Sequence, residues 1–181
     1  GDLIQSENLS DDSKTDTVDT GADIERNIQD ESVCSCVLPT PVTANAYEGA
    51  RRLTIREVSP KLSGFRADTN EKMGHLDHFK NGWIGTNAGD KISFELEGSC
   101  IGIQYRKTIS RPAVRAQAVI DGDVEHPVLL DGNFDEDWGD CLYIESVLHH
   151  SEKKKHTLEI TVLDDESVGT TPFYLMSIIV A

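Results

Sequence analysis

From Leu53 onward the chain is written in period two. Lys91–Leu96 places Ile92, Phe94 and Leu96 on one side, and Ile101–Tyr105 does the same with Ile101, Ile103 and Tyr105. Val114, Ala116, Ala118 and Ile120 oppose Arg115, Gln117 and Val119, and Leu158, Ile160 and Val162 alternate within His156–Leu163. Leu53–Val58, Phe79–Gly85, His126–Leu130 and Leu142–Leu148 complete the run, and the chain ends on Phe173–Val180. Side chains that alternate in this way lie on opposite faces of a strand, so each run predicts a half-buried strand. No amphipathic helical pattern follows residue 52. Many short strands with Gly, Asp and Asn between them predict an all-β fold, an antiparallel β-sandwich over residues 53–181. Asp121-Gly122-Asp123 and Asp131-Gly132-Asn133 supply turn chemistry. Gly98 and Gly102 flank Cys100 and predict a bulge or a close approach of backbones. The last strand is apolar on both faces, which predicts a central place in a sheet.

Residues 1–52 read differently, as an acidic leader and linker. The first 32 residues hold ten of the 32 acids and two of the 17 bases, and they have little apolar surface to bury. A short helix near Thr20–Gln29, a proline-punctuated link at Val37–Pro41 and a turn or short helix within residues 44–50 are the structures expected there. The net charge of -15 argues against nucleic acid, since phosphate binding draws on clustered Lys and Arg. The single basic run, Lys153–Lys155, reads as a hairpin tip. No apolar stretch approaches the roughly 18 residues of a membrane span. No basic segment followed by an apolar run marks a signal peptide, and Gly1 as the first residue leaves the compartment open.

Four cysteines, Cys34, Cys36, Cys100 and Cys141, are too few for a disulfide framework. Cys100 and Cys141 read as buried thiols, and no second ligand pair at zinc spacing accompanies them.

Two tryptophans are candidates for sugar stacking, because an indole offers an apolar face with a polar edge. Trp138 lies in the acidic loop Phe134-Asp-Glu-Asp-Trp-Gly-Asp140, where Asp135 and Asp137 would accept hydrogen bonds from hydroxyls. Its alternative is to pack that loop onto the sheet. Trp83 is the second candidate, and filling the core beside Phe94 is its favoured alternative. The side chains of Asp131, Asn133, Asp135 and Asp137 alternate in the manner of a calcium loop. The turn glycine of such a loop is replaced by Glu136 and its terminal acid by Leu142, so a solvated acidic loop competes with a Ca²⁺ site. His75 and His78 are spaced to share a divalent metal or to lie on plain surface, and His149 and His150 read as exposed. No Ser–His–Asp set can be assembled.

The succession of motifs is a resemblance as well as a pattern. Gly82-Trp-Ile-Gly85, Gly89–Gly98, Ile101–Tyr105, Ala118–Gly122, Lys155–Val162 and Phe173–Val180 together resemble the jelly-roll accessory domain of SGNH/GDSL-type hydrolases, including the non-catalytic domain of family 2 carbohydrate esterases. The resemblance covers about residues 60–181. It implies a carbohydrate-binding or accessory module whose partners are a carbohydrate and an upstream catalytic domain. It also makes Asp2–Gln5 the tail of that domain's last helix. The catalytic signatures of such hydrolases are not reproduced. Gly89-Asp90 runs into Lys91 instead of the serine, and Asp123-Val-Glu-His126 spells Asp-x-x-His without a serine block before it. The expected chain is therefore no enzyme by itself. A structural packing domain, or a chain contributing to an esterase active site, are the alternatives.

Overall fold

Two antiparallel sheets face each other in this computed structural model, which describes residues 45, 47–74, 78–149, 151–163 and 171–181. Eleven strands run in order: β1 (Arg51–Leu53), β2 (Lys61–Ser63), β3 (Arg66–Ala67), β4 (Trp83–Gly85), β5 (Lys91–Gly98), β6 (Ile101–Lys107), β7 (Arg115–Ile120), β8 (Val128–Asp131), β9 (Cys141–Leu148), β10 (Lys154–Val162) and β11 (Phe173–Val180). The six-stranded sheet has the order β3-β4-β11-β6-β9, with β1 also on β11, and the five-stranded sheet has the order β2-β5-β10-β7-β8. The result is the jelly-roll-like antiparallel β-sandwich expected from the period-two runs. No described residue is helical, so none belongs to a helix that could cross a membrane.

The inward side chains are those the alternation picks out. Ile92, Phe94 and Leu96 of β5 meet Leu158 and Ile160 of β10 within their sheet. Facing them across the sandwich are Ile101, Ile103 and Tyr105 of β6 and Leu175, Ile178 and Val180 of β11. The terminal strand is central, hydrogen-bonded to β6 on one side and to β4 and β1 on the other. Burial of both its faces explains why it lacks alternation. The expected turn at Asp121-Gly122 is present with positive φ at both residues, 51° and 76°, which Asp and Gly tolerate. Gly98 lies against the chain's end: a Cβ there would come within 2.9 Å of the Ala181 carbonyl oxygen.

Several local expectations need correction. Leu53–Val58 is not one strand. β1 ends at Leu53, and the Glu57 carboxylate accepts hydrogen bonds from the Thr54 amide and hydroxyl, folding residues 54–57 into a turn. Arg51 and Arg52, read as linker, belong to the sheet. Lys154 and Lys155 are strand residues of β10 rather than part of a hairpin tip. Cys100 is buried as expected, whereas Cys141 is partly exposed at the start of β9. The helix expected at residues 20–29, the Val37–Pro41 link, Cys34, Cys36, His75 and His150 lie outside the described residues.

Candidate functional site

Thr108, buried at the end of β6, gathers both ends of the acidic loop. Its amide donates to the Gly132 carbonyl at 2.8 Å, and its carbonyl accepts from the Phe134 amide at 3.0 Å. At the other end its hydroxyl donates to Asp140 Oδ1 at 2.6 Å, where the Ile109 amide donates as well at 3.2 Å. Between these clasps the chain projects Trp138, which is 68% exposed. The indole meets the half-buried Phe134 ring edge-on, with centroids 5.1 Å apart and planes at 88°. An aromatic side chain that remains in water yet is held by a second ring presents a pre-set flat surface. Asp135, Glu136 and Asp137 are exposed beside it in sequence, and Asp135 Oδ1 lies 3.5 Å from Arg111 Nη1. The loop can thus offer one aromatic face with carboxylate acceptors around it.

Trp83 does not share this role. It is 1% exposed, its ring stands edge-on to Phe94 at 5.4 Å, and it belongs to the core. No face of it is left for a ligand, which corrects its candidacy. The calcium arrangement is also not assembled. Asp131 Oδ1 accepts from both the amide and the side-chain nitrogen of Asn133, an Asx turn closed on itself. Asn133 Oδ1 accepts from the Ala113 amide at 2.9 Å. The Asn133 oxygen ties the end of β8 to Ala113, in the connection before β7, and Asp135 and Asp137 are exposed. Among the described residues no three His, Cys, Asp or Glu side chains converge where they could hold a metal ion.

The other polar candidates have structural partners. Asp90 is buried and accepts hydrogen bonds from the Thr86 and Asn87 amides, both at 2.9 Å, so the Gly89-Asp90 pair builds a turn. Asp123 and His126 are joined at 3.0 Å on the exposed β7–β8 connection, with no described serine in hydrogen-bond reach. The His126 contact lowers the Asp123 carboxyl below its usual range. His156 points inward and places Nδ1 2.8 Å from Asp121. The Asp121 carboxyl is held below its usual range by the Thr157 amide first and by His156 second. His149 is at the end of β9, with Nδ1 2.9 Å from the Tyr47 hydroxyl.

Sequence reasoning missed the prop under Trp138. Phe134 was visible in the same heptad of residues, but its inward turn depends on the Thr108 clasp, which comes from another strand.

Against this geometry the comparisons are specific. No family model matches the chain, and no curated protein matches it. Among solved structures it is 41% identical to a two-domain esterase (CEX) active on acetylated mannans, with a TM-score of 0.73 over 78% of this chain. The same values describe that esterase co-crystallized with mannopentaose. A family two carbohydrate esterase from Cellvibrio japonicus is 11% identical over 72% of this chain and 33% of its own, with a TM-score of 0.47. The chain covers 39% of the mannan-active esterase in the mannopentaose crystal and 38% in the other, well under half its length. In sequence and in fold, then, this β-sandwich is similar to one part of a two-domain esterase, as its strand and turn motifs implied.

Proposed function

We propose that the chain is a carbohydrate-binding module that works beside an esterase domain and supplies no catalytic residues. The carrying observation is Trp138, exposed and propped by Phe134 on a loop clasped at both ends. A sugar ring would stack its apolar face on the indole, while carboxylates of residues 135–137 accept hydrogen bonds from its hydroxyls. The similarity to an esterase active on acetylated mannans supports a mannan-type polymer as ligand. Pull-down on acetylated mannan and on the deacetylated polymer, with wild type and Trp138→Ala, tests the reading. Retention of wild type and loss of the variant is the expected result. Equal retention of both, or of neither, would overturn it.

A packing role is favoured by a different observation. β9 is an edge strand on which Leu142, Tyr143 and Ile144 are each at least 40% exposed. Leu142 and Ile144 project from one face of this strand and Tyr143 from the other, and apolar side chains at an unpaired sheet edge suit association. A strictly monomeric mass across a wide concentration range, by light scattering, would remove this second reading.

A further inference from the structure

The outer face of the six-stranded sheet carries a concentration of positive charge in an acidic chain. Register defines this face. Arg52 of β1 lies opposite Ile179, Ser177 of β11 opposite Gln104, and Arg106 of β6 opposite Leu142. Residues 69–72 and 78–81 border it around a cavity of about 710 Å³ and a second of about 400 Å³. The two share Arg52, Lys72 and Met176, so they form one groove. Arg56 and Lys80 add to the wall of the larger chamber and His78 to the smaller.

Acids share this wall: Glu57 and Glu71 line the larger chamber and Asp140 the smaller, Arg56 lies in the field of Glu57 and Lys80 in that of Asp68. Glu57 is occupied by the amide and hydroxyl of Thr54, and Asp140 by Thr108 and Ile109. Glu71 alone adds a carboxylate without a hydrogen bond among the described residues. Arg52, Arg56 and Lys72 form no ion pair with any described residue. Arg52 is also held in place from below. Its Nε donates to Ser177 Oγ at 2.9 Å, and the fully buried Ser177 in turn donates to Gln104. Its Nη groups make no hydrogen bond among the described residues, so they are oriented and unspent.

We infer that this groove binds a carboxylate-bearing saccharide, at a site separate from Trp138. A fixed guanidinium matches a carboxylate in bidentate geometry, and loss of freedom on binding is small when the fork is already anchored. Thr69 and Asn81 on the walls suit sugar hydroxyls, and Phe79 and Met176 suit the apolar face of a ring. A peptide is the weaker fit. Peptides add to an unpaired strand edge or fill an apolar groove, and this groove lies across a sheet face with mostly polar walls. The site shares with the proposed function only the saccharide nature of the ligand.

The test is calorimetric titration of the 181-residue chain with trigalacturonate, with its methyl ester and with hexaglutamate. Trigalacturonate should bind and weaken as salt rises from about 50 to about 500 mM, while the uncharged ester should not bind. Arg52→Gln and Lys72→Gln should each weaken binding about tenfold. Lys72 makes no hydrogen bond among the described residues, so its variant separates charge from folding. Trp138→Ala should leave trigalacturonate binding unchanged even where it abolishes retention on mannan. The inference is overturned by absence of binding, by equal binding of the ester, by tighter binding of hexaglutamate, or by loss in Trp138→Ala with Arg52→Gln unaffected.

Discussion

Trp138 rests edge-on against Phe134 at 5.1 Å, so the exposed ring is oriented by a neighbour four residues away. Removing the prop should leave the platform present but unfixed. Phe134→Ala is expected to weaken saccharide binding several-fold, in line with the ~0.5–1.5 kcal/mol of an edge-to-face pair. Trp138→Ala should abolish it. Titration of both variants with a mannan oligosaccharide measures the difference. Identical affinities for Phe134→Ala and wild type would show that the pair does no positioning.

The two tryptophans should separate cleanly in stability. Trp83→Ala empties a site in the core beside Phe94 and should cost about 3–5 kcal/mol. Trp138→Ala removes a ring that is mostly in water and should change stability by less than about 0.5 kcal/mol. Urea unfolding of the two variants gives both values. A large loss in Trp138→Ala would instead mean that the indole packs its loop onto the sheet.

How far the sequence reveals this molecule follows from what kind of contact makes each part. Strands buried on one face announce themselves by alternation, and β5, β6, β7 and β10 were legible for that reason. β2 and β3 were not. Lys61–Ser63 and Arg66–Ala67 are exposed edge strands, so burial imposes no alternation on them. Leu53–Val58 alternates and yet turns, because the local Thr54–Glu57 hydrogen bonds outcompete strand pairing. Trp138 was visible as an aromatic in an acidic loop. The basic groove was hidden, since Arg52, Lys72 and Lys80 meet only after β1 has joined the last strand of the chain.

Asp68 should make the fold sensitive to acid. The carboxylate is buried and accepts a hydrogen bond from the Tyr174 hydroxyl at 2.7 Å and from the Asn70 side chain at 2.7 Å. Burial is the largest single influence and pushes its pKa up. The hydrogen bonds of Tyr174 and of the Asn70 amide and side chain, with the field of Lys80, together outweigh it and leave the carboxyl below its usual range. The Tyr174 phenol is raised, by burial first and by Asp68 second. A depressed carboxylate stabilises the fold above its unfolded pKa, and that stability is lost as pH falls through the lower folded value. Asp68→Asn should therefore cost about 1–2 kcal/mol near neutral pH and flatten the acid limb of the stability profile. An unchanged slope below about pH 4 would assign the acid sensitivity to other groups.

Arg106 should hold the wall of the basic groove to the sheet. Its guanidinium carbon sits 5.8 Å from the Phe79 ring centroid and 5.6 Å from that of Tyr174. Its Nη2 donates to the Pro172 carbonyl at 3.2 Å, and its Nε lies 3.9 Å from Asp140. A planar cation can touch two rings and two oxygens at once; an ammonium at the end of a flexible stem cannot. Arg106→Lys should therefore fail to rescue what Arg106→Gln loses, with both destabilised by about 1–2 kcal/mol. Amide exchange should accelerate around Phe79 and Lys80 while β5 and β10 keep their protection, because those strands belong to the opposite sheet. Full protection at Phe79 in both variants would show that the segment is held by other contacts, and the groove would then keep its shape without this arginine.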